Sequence, residues 1–324
     1  MGERRPAAFY WLGALFALFV LFLYGPMLTI VVLSFQGPEG GLTFPMNGVS
    51  LHWFAKLWND GLPNVDIWSS FGRSARLGIA VMLLTVVLSL MAGLAYRKGF
   101  AGSNALFYVV VASLIMPSIV VSLGIGLEFR ILDDAIKKHG PAALADGYDT
   151  AMGLFTSALG AHLTWTLPFG LLIIFAIFNR FDPRYEEAAR DLGASPWQAL
   201  RHVVLPIIGP SVVGVGLFGF TLSWDEIART SQAIGYRNTL PLELQGQTTT
   251  VTTPVIYALG TLTTAVSLAV IALALAGILL LRRYQARIGS AAAKGSTLAR
   301  ALRCGEGLER PPAGAPGLDR ARDP

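Results

Sequence analysis

The residues best placed to do chemistry lie in three places. His162 stands in an apolar stretch beside Thr164, Trp165 and Thr166. Trp224 ends another apolar stretch and is followed by the acids Asp225 and Glu226. Glu186 and Glu187 belong to a short charged segment, 181–206, between the two. None of these residues stands in a catalytic pattern. The chain has no His-Glu-x-x-His zinc motif, no Gly-x-Ser-x-Gly nucleophile elbow and no Gly-x4-Gly-Lys-Ser/Thr phosphate loop. Its one cysteine, Cys304, allows neither an internal disulfide nor a cysteine-rich metal site. No catalytic or metal-ligating residue is assigned, and the chain itself is expected to bind no cofactor.

What remains is binding and transmission of motion. A charge held in a membrane is costly and so is often functional, and Asp225 and Glu226 would attract a cationic substrate. The other reading is two solvated acids at a helix end, and both stay open. Trp224 suits an interface anchor, or an aromatic wall for an alkyl-ammonium ligand. A lone histidine in a span, such as His162, more often bonds helix to helix than binds a ligand. Together His162, Trp165, Trp224, Asp225 and Glu226 form the candidate substrate pathway.

The elements that must position these residues are membrane helices. Of 324 residues, 53% are hydrophobic and only 14% charged, against roughly 25% charged in a soluble domain. Six apolar runs reach the roughly 20 residues a span needs: Phe9–Leu33, Leu77–Tyr96, Ala105–Leu127, Met152–Phe178, Val203–Trp224 and Ile256–Leu281. The first is too long for a signal-peptide core and reads as an uncleaved span. Pro117, Pro168 and Pro210 do not argue against helix, because neighbouring helices can satisfy the freed backbone groups. The net charge of +5 does not indicate nucleic acid, since the basic residues sit at span ends and in the terminal tail.

Arg4, Arg5, Arg97, Lys98, Arg180, Arg282 and Arg283 crowd short segments on one side, which predicts both termini in the cytoplasm. The opposite segments also hold basic residues, Arg73, Arg76 and Arg237 among them. The permease region is expected over 1–287, with a disordered, Ala/Gly/Pro/Arg-rich tail over 288–324.

The segment 181–206 spells two short helices and a turn. Asp182 suits an N-cap with Pro183 at the first helical position. Glu186 and Glu187 complement the dipole near the start. Tyr185, Ala188, Ala189 and Leu192 share one apolar face. Gly193 suits a left-handed stop, and Ser195-Pro-Trp-Gln198 reads as a capping box. An amphipathic connector on the membrane surface would look much the same. Ala188 and Ala189, however, leave a shallow surface that a partner protein can approach closely.

Glu187-Ala188-Ala189, three residues, Gly193, nine residues, then Val203-x-Leu205-Pro206 resembles the EAA motif of permease subunits in binding-protein-dependent ABC importers, with Val203 in place of the usual Ile. The resemblance extends over nearly all six spans. Ala161-His162 with Leu167-Pro168-Phe169, Phe220-Thr-Leu-Ser-Trp-Asp-Glu226 and Asn238-Thr-Leu-Pro-Leu242 look like the spermidine/putrescine-type subfamily. The stretch Asp133–Asp149 resembles an insertion, on the face that would meet a binding protein.

The resemblance implies an all-α integral membrane protein of the type I importer permease fold, with about six transmembrane helices and a cytoplasmic coupling helix. It implies that Glu186, Glu187, Ala188, Ala189, Gly193, Leu205 and Pro206 couple to cytoplasmic ABC ATPase subunits, which use ATP and Mg. The further partners are a second permease subunit, an extracytoplasmic substrate-binding protein and membrane lipid, in a bacterial inner membrane. The cargo would be a small solute of the polyamine class. A secondary transporter or channel is the competing reading. It would be expected to place ionisable groups at mid-membrane, where His162 is the main one.

Overall fold

The computed structural model describes residues 6–62, 66–141, 147–250 and 253–305. Among these the chain is mostly helical, with an isolated strand-like bridge between Gln36 and Val49. The helices are α1 (Ala7–Leu33), α2 (His52–Asn59), α3 (Ile67–Lys98), α4 (Ser103–Ala112), α5 (Ser118–His139), α6 (Leu154–Arg180), α7 (Arg184–Asp191), α8 (Pro196–Trp224), α9 (Leu240–Thr250) and α10 (Pro254–Gly305). Five of the described helices are long and apolar enough to cross a bilayer: α1, α3, α6, α8 and the Pro254–Leu280 stretch of α10.

The third apolar run departs from expectation. Instead of one span over Ala105–Leu127, the chain forms α4 and α5 around a break at 113–117. Pro117 has no N–H to donate and disfavours helical backbone at Met116. The break is held by Ser113, whose hydroxyl reaches the carbonyls of Val110 (2.7 Å) and Thr164 (2.9 Å). Helix α5 then runs on to His139, so Glu128 and Arg130 lie within it.

Packing centres on α3, α6 and α8. Their shared interior is Leu77, Val81, Leu171, Ile174 and Val215. Lipid tails are as apolar as these side chains, so close backbone approach and interhelical hydrogen bonds matter more than burial from water. Both occur here: Thr85 and Thr166 share a buried hydrogen bond of 2.8 Å. Beside them Gly170 sits so close to Thr85 and Ser89 that any side chain would collide.

A second apolar cluster joins Trp53 and Leu57 of α2 to Phe220, Trp224, Leu240 and Leu259. Trp53 is therefore core, while Trp58 is exposed. Helix α1 turns its side chains outward along most of its length, with Trp11, Phe16 and Phe22 exposed, as a helix bathed in hydrocarbon can.

The chain divides into two units, with the boundary between Ala274 and Leu275. Helical backbone nevertheless continues to Gly305, past Ile288, where the sequence predicted a tail without structure. Ala291, Ala292 and Ala293 carry the highest helix propensity of any residue type. Arg4, Arg5, residues 142–146 of the expected insertion and the tail 306–324 lie outside the described residues.

Candidate functional site

The charged segment folds as its local chemistry dictates. Asp182 Oδ1 accepts the Arg184 N–H at 3.0 Å, which starts α7. The helix ends at Gly193, whose φ of +87° is left-handed. There the Ala194 N–H reaches back to the Ala189 carbonyl (3.0 Å) and the Gly193 N–H to Arg190 (2.8 Å), satisfying carbonyls the helix would otherwise leave bare. Ser195 then caps α8: its hydroxyl accepts the Gln198 N–H at 3.3 Å, and Gln198 Oε1 accepts the Ser195 N–H at 2.8 Å. Just before Pro206 the helix widens into one π turn, with the Leu205 N–H bonded to the Leu200 carbonyl. Pro206 supplies no N–H there, which loosens the ladder.

The two acids of α7 part company. Glu186 bonds Arg97 at the end of α3 (2.9 Å) and Arg190 (2.7 Å). Arg97 itself lies over the rings of Phe178 and Phe181. Glu186 therefore ties α7 to the helix bundle. Glu187 is exposed and forms no ion pair among the described residues. A cavity of about 600 Å³ under α7 is lined by Arg97, Lys98, Glu186, Glu187 and Arg190. The apolar face of α7 points away from the bundle: Tyr185 is 57% exposed and Leu192 90% exposed. Ala188 is also exposed, and Ala189 and Leu205 are half-buried. Trp197, on the first turn of α8, is exposed as well.

The other candidates cluster around residues 225–239, an irregular segment between α8 and α9. His162 is 1% exposed and bonds Ser223 through Nδ1 (2.8 Å) and Thr230 through Nε2 (2.9 Å). It thus fastens α6 to α8 and to this segment. Trp224 stacks on Phe220 and meets Phe71 edge-on, which places it in the core cluster. Asp225 opens to the surface, although nearby protein desolvates it enough to push its carboxyl above the usual range. Glu226 turns inward. Its Oε1 accepts the Arg229 N–H at 2.9 Å, and its Oε2 lies 3.7 Å from the Arg229 guanidinium.

Arg229 also belongs to this site, with no local pattern in the sequence to mark it. It is 1% exposed, lies 4.5 Å over the Trp165 ring and donates to Ser118 at 2.7 Å. Its Nε and Nη2 find no hydrogen-bond partner among the described residues. Three small residues of α5 receive this part of the chain. Besides Ser118, Ser122 donates to the Arg229 carbonyl (2.8 Å) and accepts the Gln232 N–H (3.1 Å). Gly126 lies where a side chain would strike the Gln232 carbonyl. Their four-residue spacing is a small-residue stripe in the sequence, but its partner lies over a hundred residues away. Further on, Arg73 Nε donates to the Asn238 carbonyl (2.7 Å) and the Leu240 N–H to Ser74 (2.9 Å). Irregular backbone in a membrane protein is tolerated when so satisfied. Among the described residues no group of His, Cys, Asp and Glu could hold a metal ion.

Residues 85–290 match the family model described as "Binding-protein-dependent transport system inner membrane component". The chain is 31% identical over 253 residues to the spermidine/putrescine transport system permease protein PotC of Haemophilus influenzae, covering 78% of this chain and 90% of that one. It is 31% identical over 244 residues to the putrescine transport system permease protein PotI of Escherichia coli, covering 74% and 81%. Among solved structures it superposes on a chain of a bacterial ABC transporter involved in the import of the acidic polysaccharide alginate. That match has a TM-score of 0.59 at 15% identity and covers 85% of this chain and 95% of that one, a likeness of fold.

Proposed function

We propose, since this chain belongs to the binding-protein-dependent transport system inner membrane components, that it is the permease of an ATP-driven importer whose cargo is a polyamine such as spermidine or putrescine. The cargo class is supported by the relatives, two of which are named for these amines. Coupling to an ATPase is supported by one observation above all: α7 is pinned to the bundle through Glu186 and Arg97 while Tyr185 and Leu192 stand exposed. An apolar face held rigidly and left uncovered is a surface made for a partner.

In this reading α7 is the cytoplasmic coupling helix, and both termini are cytoplasmic. Glu187, Ala188, Ala189 and Gly193 meet or shape the contact with an ABC ATPase that binds ATP and Mg. Leu205 and Pro206 set how α8 leaves the contact. A second permease completes the pathway, and an extracytoplasmic binding protein delivers the amine. ATP binding closes the ATPase pair and turns the pathway outward; hydrolysis resets it. Asp225, exposed beyond the end of α8, is the acid that remains free to attract the cation. His162, Trp165, Trp224 and Glu226 serve the pathway by fixing its walls.

The test is co-purification of the ATPase with Gly193→Val and Glu187→Lys variants, alongside uptake of radiolabelled putrescine. Both variants should reach the membrane at normal abundance and lose ATPase and uptake together. Full retention of both by both variants would leave α7 a simple connector. A reporter fused after Lys98 should read cytoplasmic, and one within 133–138 external; reversed readings would overturn the orientation.

A further inference from the structure

Arg73, Arg76 and Arg237 weaken the charge asymmetry of the sequence, and the structure brings all three to one depression. It has a volume of about 300 Å³ and is lined also by Met152, Ile234 and Tyr236. Arg73 is spent on the fold: its guanidinium donates to the Asn238 carbonyl and to the hydroxyls of Ser69 and Ser70, each at 2.7 Å. Among the described residues Arg76 uses only Nε, on the Gly72 carbonyl. Arg237 lies over the Tyr236 ring at 5.3 Å. Both are exposed, and none of the three forms an ion pair among the described residues. Arg76 and Arg237 therefore present free guanidinium forks around a fixed third charge.

The depression lies at the end of the bundle opposite α7. At roughly 1.5 Å of rise per residue, Arg73 and Arg97 are about 36 Å apart along α3, more than the roughly 30 Å hydrocarbon core. The exposed guanidinium groups of Arg76 and Arg237 suit carboxylates, which such forks bind in pairs.

We propose that Arg76 and Arg237 form a docking site for carboxylates on the extracytoplasmic binding protein. The inference rests on the orientation and partner proposed above. Rim charges of this kind act mainly on the association rate and its salt dependence, because they are screened within about 8 Å at physiological salt.

The test uses the whole importer, with its second permease and ATPase subunits, in phosphatidylcholine nanodiscs. Association of the soluble binding protein that supports its uptake is timed from 50 to 500 mM NaCl. The double variant Arg76→Gln/Arg237→Gln should slow association about tenfold at 50 mM NaCl, with dissociation changed less than twofold and the difference gone at 500 mM. Arg76→Lys/Arg237→Lys should recover most of the rate. Hexaglutamate peptide should compete with docking on the wild type and not on the Gln variant. An unchanged association rate at low salt in the Gln variant, at normal abundance, would overturn the dock. So would saturable binding of inorganic phosphate at the depression with docking unaffected, which would make it a small-anion site. Docking intact without putrescine uptake would remove the cargo assignment and leave the dock standing.

Discussion

Two of the chain's acidic pairs, Glu186-Glu187 and Asp225-Glu226, lie at two ends of the packed helices and are built on one plan. In each pair one acid is tied to arginine and the other is left to the surface. The difference lies in what surrounds the tie. Glu186 bonds arginines at a wet edge, one of them four residues away. Glu226 meets an arginine sealed under Trp165 and anchored on a distant helix. The first segment takes its shape from its own neighbours; the second is shaped by the rest of the fold.

If that contrast is right, the same chemical change has unequal effects at the two ends. Arg229→Met strips a partner from a nearly buried acid and should cost about 3–5 kcal/mol. It should be read as a large drop in unfolding temperature in detergent, or as failure to accumulate. A variant as stable as wild type would show that Arg229 is solvated and the contrast false. Gly193→Val comes next. Forcing a β-branched residue into left-handed backbone costs about 1–3 kcal/mol, which α7 can relieve by shifting. The expected result is lost ATPase retention with unfolding temperature nearly unchanged; a global loss of stability would instead make α7 part of the core.

His162→Leu orphans Ser223 on α8 and leaves Thr230 only its bond to the Glu226 carbonyl, with an expected loss of about 1–3 kcal/mol. Transport should fall along with stability, and restoring stability at lower temperature should restore transport. If transport stays lost in a stable variant, His162 touches the cargo. Arg97→Met, at the wet edge, should cost no more than about 1 kcal/mol and should be visible mainly as weaker ATPase retention. Smallest of all in stability is Asp225→Asn, which should leave the unfolding temperature unchanged while weakening putrescine uptake at low concentration more than at saturation. Equal weakening at all concentrations would remove its role as a cation attractor.

The contrast also explains what the sequence could reveal. The caps at Asp182 and Ser195 and the stop at Gly193 act over a few residues, so each was legible from its neighbours. The apolar runs marked the spans for the same reason. The break at 113–117 was hidden because a proline inside a membrane run can be absorbed, and only the Ser113–Thr164 contact shows that the helix yields here. The inward turn of Glu226, the use of Trp224 as core and the burial of Arg229 depend on α3, α5 and α6. The pairings responsible, such as Ser122 with Arg229 or Arg73 with Asn238, span more than a hundred residues. No local pattern encodes them.

Helix α3 touches both ends of this comparison. Arg97 near its last turn holds the Glu186 carboxylate, and Arg73 near its first holds the Asn238 carbonyl. A straight helix pinned at two such points behaves as a rod, and a rod pushed at one end pivots. With about 36 Å between the pins, a tilt of about 5° about the midpoint would swing each end through roughly 1.5 Å. That is enough to part a hydrogen bond of 2.7 Å. Pressure on α7 thus has a direct mechanical route to the irregular segment across the bundle, and the stroke it delivers is set by the length of one helix.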